Sequence, residues 1–399
     1  MPDEIGIPSV IEEQASGPET ITGVETSVTA FIGRTPIGPA GEPVAVTSFV
    51  DFERTFGELD FNFPVTCAVR DFFQNGGSKA LILRLCKSGG EANEPLDLQT
   101  YLGDPGEGTG INALLKADIF NLVCIPPDTP GGDVPLEVYR AAMLFCADNM
   151  AMLLVDPPAA WSADRNNAAA RAADGLARLG LEGTDARNAA LYFPRVIETD
   201  PATGQHAAVG SCGIIAGIMA RTDREKGVWK APAGADADIR GIDRLELELT
   251  DSENELLNPL GINALRRFSA MGNVVWGART LRGSDEMADQ YKYIPVRRLS
   301  LYIEASLYRG LQWAIFEPND VSLWSSIRLA AGDFMLGLFR AGALAGETTR
   351  NSYFVICDST TTTQSDIDQG ITNVQIGFAP VRPAEFVVLS LSLIGSRPA

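Results

Sequence analysis

The sequence holds a single histidine, His206, in 399 residues. Most acid–base and metal schemes that rely on imidazole are thereby removed, and His206 follows the turn Pro201–Gln205, where a surface role suffices. Positive charge is also scarce: 32 Lys and Arg stand against 51 Asp and Glu, for a net charge of −19. Such a chain repels phosphate backbones, which excludes nucleic-acid binding through a basic surface. No run approaches the roughly 18 apolar residues needed to cross a bilayer, so no membrane insertion is predicted. The start Met1-Pro2-Asp3-Glu4 lacks the basic and apolar regions of a secretory signal, and synthesis and folding in the cytoplasm are expected. The six cysteines, Cys67, Cys86, Cys124, Cys146, Cys212 and Cys357, form no Cys-x-x-Cys pair. Buried free thiols are the expected state.

Three motifs suggest catalysis and fail on their own chemistry. Gly103-Asp104-Pro105-Gly106-Glu107-Gly108-Thr109-Gly110 is glycine-rich, but lacks the lysine of a phosphate cradle. Asp366-Ile367-Asp368-Gln369-Gly370 begins like a calcium loop and lacks the later ligands and closing glutamate, so turn and cap chemistry is expected. Gly210-Ser211-Cys212-Gly213 departs from the Gly-x-Ser-x-Gly of a nucleophile elbow. No catalytic residue, metal site or cofactor is predicted.

With 45% hydrophobic and 21% charged residues, the composition is that of a folded chain long enough for two or three domains. Met1 to Thr22, rich in Pro, Gly and Glu, buries little alone. Val28–Ile32 and Ala80–Leu85 read as strands, Phe49–Phe56 and Ala68–Phe73 as helices. From about Gly89 to Ala207, apolar strands Leu122–Ile125 and Met152–Val155 alternate with helical patterns over Val138–Asp148 and Arg165–Leu179. That alternation predicts a small α/β domain with parallel pairing. Toward the end, Leu299, Ile303, Leu307 and Leu311 recur every four residues, and Glu317-Pro318-Asn319-Asp320 ends this helix and caps a second. The second runs through Leu323, Trp324, Ile327, Ala331, Phe334, Met335 and Leu338 to the Gly342 region. Strands Tyr353–Cys357, Val374–Phe378 and Phe386–Ile394 follow. In the last, Val387, Leu389, Leu391 and Leu393 alternate with Phe386, Val388, Ser390 and Ser392. It reads either as an edge strand of the chain's own sheet or as a strand added to another subunit's.

Arg297-Arg298-Leu299, Tyr302-Ile303-Glu304, Arg309-Gly310-Leu311-Gln312-Trp313, Phe316-Glu317-Pro318-Asn319 and Ala379-Pro380-Val381-Arg382-Pro383-Ala384-Glu385-Phe386 together resemble the C-terminal domain of contractile tail sheath proteins. That family serves contractile-tailed phages and phage-like injection particles. Phe31-Ile32-Gly33-Arg34-Thr35 and Arg70-Asp71-Phe72-Phe73-Gln74-Asn75-Gly76-Gly77 resemble the N-terminal part of the same core. Gly227-Val228-Trp229-Lys230-Ala231-Pro232, Leu257-Asn258-Pro259-Leu260-Gly261 and Val275-Trp276-Gly277-Ala278-Arg279 give a third match.

The resemblance implies an α/β fold, a core of mixed sheet and helices built from both chain ends. The division expected is an extended N-terminal arm over 1–22, core over 23–88, an inserted α/β outer domain over 89–207, core over 208–295, a C-terminal domain over 296–383 and an arm strand over 384–399. It further implies six-fold rings stacked helically around an inner tail tube protein, met by baseplate and tail terminator proteins, whose contraction drives the tube through an envelope. Strand exchange between subunits is assigned to Val10, Ile11 and Glu12 in the N-terminal arm, and to Phe386, Val387, Val388, Leu389, Leu391 and Leu393. A tube-facing role falls to Arg328, Asp333 and Arg340 on the second C-terminal helix. A non-contractile fibre or capsid protein would share the self-association, and an α/β enzyme would fit the middle segment alone.

Overall fold

The computed structural model describes residues 20–87, 94–381 and 387–394. Strands β1 (Thr29–Gly33) and β2 (Pro43–Val46) precede helices α1 (Phe49–Phe56) and α2 (Pro64–Gln74), and β3 (Ala80–Arg84) follows. Helix α3 (Leu98–Leu102), β4 (Leu122–Cys124), α4 (Leu136–Asp148), β5 (Met152–Val155), α5 (Ala168–Leu176) and β6 (Ala189–Phe193) continue the alternation. Then come β7 (Val196–Thr199), β8 (His206–Val209), α6 (Cys212–Lys226), β9 (Arg244–Leu245), α7 (Asp251–Leu257), β10 (Ile262–Phe268) and β11 (Gly272–Trp276).

Eight of these strands form one sheet in the order β11-β10-β6-β5-β4-β1-β3-β2, parallel except for antiparallel pairs at its two edges. Alternate residues of each strand feed opposite cores. Ala30, Ile32, Leu81, Leu83, Leu153 and Val155 point to α4 and α5, while Phe31, Ile82, Leu122, Leu154 and Tyr192 point to α1, α2 and α6. Strands covered on both faces must be apolar throughout, which is why the periodicity there reads as continuous runs. Each fully buried Phe or Leu contributes roughly 1.5–3 kcal/mol.

Segment 89–207 departs from the expected separate outer unit. It is inserted in sequence, yet β4 pairs with β1 and β6 with β10, so one sheet runs through all three stretches. Strands as short as Leu122–Cys124 gain stability only with neighbours on both edges, and the flanking strands supply them.

On the opposite side of the sheet from α4 and α5, α2 and α6 approach closely because α6 carries glycines four apart. A Cβ on Gly213 would sit 2.1 Å from the Ala68 carbonyl, and one on Gly217 would sit 2.5 Å from the Phe72 carbonyl. Any side chain at either place would push the helices apart.

Candidate assembly site

The C-terminal unit begins with α8 (Ile294–Gly310), five residues before the start expected from Leu299, because Pro295 fits the first helical turn. Leu299, Ile303, Leu307 and Leu311 form its buried stripe. Asp320 caps α9 (Val321–Arg340), accepting from the Ser322 and Leu323 amides at 2.8 and 3.0 Å. Helix α10 (Thr349–Ser352), β12 (Tyr353–Ile356), α11 (Gln364–Asp368), β13 (Ile371–Phe378) and β14 (Val387–Ile394) complete the unit. Asn319 ties the α8–α9 connection to the sheet: its Nδ2 donates to the Ile371 carbonyl at 2.9 Å, and its Oδ1 accepts from Trp324 Nε1 at 2.8 Å.

The three strands form an antiparallel sheet in the order β12-β13-β14. In this single chain β14 lies on the chain's own β13 over eight register pairs, from Phe378 with Val387 to Ile371 with Ile394. Val387, Leu389, Leu391 and Leu393 stand opposite Phe378, Ile376, Val374 and Thr372; these four β13 residues are buried. Val10, Ile11, Glu12 and Phe386 lie outside the described residues.

The three charges of α9 separate. Arg328 is half-buried, and its guanidinium donates to the Cys357 carbonyl at the end of β12 and to Ser325 Oγ at 2.9 Å. Asp333 and Arg340 are exposed, seven residues apart on one face with Leu329. So two of the three share a solvent face, and the third anchors α9 to β12.

The motifs that suggested catalysis have structural roles. Asp156, at the end of β5, accepts from the Ser211 and Cys212 amides at 2.7 and 2.9 Å, capping α6 from another strand. Gly210 packs against that carboxylate and Gly213 against α2, so the small residues permit close approach. In the glycine-rich loop, Asp104 Oδ1 takes the Gly106 and Glu107 amides that a phosphate would need. Thr363 and Asp366 form a capping box on α11. His206, on the small antiparallel sheet of β7, β8 and β9, is exposed beside Thr199 and Asp243.

A buried charge cluster went unnoticed in the sequence. One Arg70 nitrogen, Nη2, meets both Asp71 Oδ1, at 2.6 Å, and Glu198 Oε2, joining α2 to β7. Burial, and then the charge of Asp71, push the Glu198 carboxyl up to about 9. Burial also raises Asp71. One cation between two carboxyls leaves one of them protonated.

Residues 149–281 match the phage tail sheath protein central domain, and 286–394 the phage tail sheath C-terminal domain. The fold matches the helical sheath of the anti-feeding prophage in its contracted state, with TM-score 0.72 and 31% identity over 97% of this chain and 99% of that one. It also matches the sheath of the extracellular contractile injection system PVC, contracted, with TM-score 0.72 and 25% identity over 97% and 98% of the two chains. The tail sheath protein of Vibrio phage KVP40 is 27% identical over 179 residues, 45% of this chain. That stretch is only 25% of the phage protein, so the match spans about a quarter of this longer relative. With its central and C-terminal segments both matched and a full-length likeness above 30% identity, the chain belongs to the contractile tail sheath protein family.

Proposed function

We propose that the chain is the structural subunit of a contractile sheath, stacking in six-fold rings around an inner tube and compacting to drive that tube through a target envelope. The family is one of structural proteins, not enzymes. The full-length likeness to a sheath solved in its contracted state carries the reading. Baseplate and tail terminator proteins would bound the polymer, and the chain would be made in the cytoplasm and assembled into a tail particle. Among the described residues no helix is long and apolar enough to cross a membrane.

Strand exchange supplies the connection between rings. β14 lies at a sheet edge, and the β13 edge beneath it can take the same strand from a neighbour, since main-chain pairing is indifferent to which chain supplies it. Several hydrogen bonds at roughly 0.5–1.5 kcal/mol each make one joint firm. Because proline has no amide hydrogen for a ladder, the hinges of this exchange would fall at Arg382-Pro383 and in the Pro18 to Gly23 segment. Val10, Ile11 and Glu12 would form the matching arm.

Truncation after Pro383, or deletion of Met1 to Thr22, is expected to leave a folded subunit that no longer polymerises. If the tail truncation unfolds the isolated subunit while the N-terminal deletion still builds full sheaths, the strands belong to their own chain. Register gives a second readout. Val374→Cys chains mixed with Leu391→Cys chains should form interchain disulfides on assembly, because those residues stand opposite each other.

A further inference from the structure

Phe316 is 85% exposed at the end of the 3-10 turn Gln312–Phe316, a position that few aromatic side chains take without a partner. Glu317 and Pro318 beside it are exposed as well. The tip of the α8–α9 connection is thus an apolar ring with a carboxylate next to it.

The carboxyl ends of β4, β5 and β6 open into a cavity of about 560 Å³. Buried Tyr139, Trp161 and Leu179 line it with Leu136, while Arg171 and Arg178 stand exposed at its rim. Its other cation, Arg195, is paired with Asp133 at 2.5 Å, and Asp156 is occupied by the α6 amides. Arg171 pairs with Asp164 at 4.0 Å and Asp174 is the remaining acid, so Arg178 is the rim cation left without an ion pair among the described residues.

We propose that Phe316 of one copy seats in this cavity of a neighbouring copy, with Glu317 facing Arg178. The inference rests on the reading that the chain assembles with itself. Knob and cavity belong to different cores of the chain, Ala314 beside the knob packing with α8 and α9, and Trp161 and Tyr139 packing under the large sheet. A contact between two different patches is heterologous, and such contacts generate rings or helices rather than closed pairs. An aromatic anchor in an apolar pocket beneath an arginine rim has the composition of an interface hot spot. Charge selects the partner: Arg178 offers the acidic knob a cation on a chain whose net charge of −19 otherwise repels it.

The test uses the full chain with a benzophenone photocrosslinker in place of Phe316, assembled with isotope-labelled wild type and irradiated. Adducts are expected on labelled peptides containing Leu136, Trp161 or Arg178. Glu317→Arg and Arg178→Glu should each raise the concentration needed for polymers at least tenfold, and the double variant should return it to within threefold of wild type. Circular dichroism and melting of the monomer check that each variant folds. Adducts elsewhere, or a double variant as defective as the two singles combined, overturn the contact. So does a crosslink from position 161 to the segment preceding Thr20, which would make that segment the occupant. Wild-type chain that never polymerises overturns the assembly reading and this contact with it; polymers that crosslink elsewhere overturn the contact alone.

Discussion

Arg298 on α8 and Asp223 on α6 form a two-pronged ion pair, Nη1 to Oδ1 at 2.8 Å and Nη2 to Oδ2 at 2.6 Å, with side chains only 4% and 5% exposed. Thr26 completes the set, its hydroxyl donating to Asp223 at 2.6 Å and its carbonyl accepting from Arg298 at 2.9 Å. The start of the described chain, the helical layer over the large sheet and the C-terminal unit therefore meet in one buried network. A sheath subunit that moves between lattices as a body needs such a fastening, and contraction would then repack contacts between subunits rather than within them.

Removing one partner strands a buried charge. Arg298→Ala is expected to cost about 3–5 kcal/mol, whereas replacing both residues by apolar ones of similar volume recovers most of it. Thermal melting of the isolated subunit decides; equal losses for the single and double changes would show that the pair is not the fastening.

Glu198 gives stability a pH dependence of unusual sign for an acid. Its folded-state pKa, about 9, lies above the ordinary value of 4.5, so the folded chain holds a proton that the unfolded chain releases. The stabilisation is full below about 4.5 and is lost as pH rises toward 9. Glu198→Gln, which keeps the shape without the charge, should flatten the fall in melting temperature between pH 6 and pH 9. An unchanged slope in that variant would remove the buried carboxyl as the cause.

Gly213→Ala should be among the most damaging small changes in the chain. Its Cβ would fall 2.1 Å from a backbone carbonyl of α2, where no side chain can swing aside. Overpacking of this kind costs roughly 1–3 kcal/mol or more. A nearly unchanged melting temperature would mean that α2 and α6 can slide apart freely.

The α9 charges divide into two kinds. Arg340→Glu, on the exposed face, should weaken attachment to the tube while sheath-only polymers still form. Arg328→Glu should instead destabilise the subunit, since Arg328 holds the Cys357 carbonyl. Tube-filled particles of normal appearance from Arg340→Glu chains would discard the tube-facing assignment.

How much of this was legible in the sequence depended on how local each signal was. The α8 stripe and the Asp320 cap show at fixed spacings, because a helix face and its N-terminus are defined within a few residues. Strands β4 and β5 were visible as apolar runs. Strand β6 begins Ala189-Ala190, and β10 carries Arg266 and Arg267, so neither stands out by composition. The continuity of the large sheet was hidden because pairing of β4 with β1 joins residues far apart in sequence. The role of Arg328 depended on where β12 ends, and that of Gly213 on α2; neither neighbour is encoded in the spacing around the residue itself.

The central claim is a sheath that shortens. Electron microscopy of particles containing this chain, measured before and after mild acid or urea, tests it most directly. The account predicts that the same number of rings occupies a shorter, wider sheath after treatment, with the tube exposed beyond it; particles that keep one fixed length and ring spacing under every treatment would contradict it.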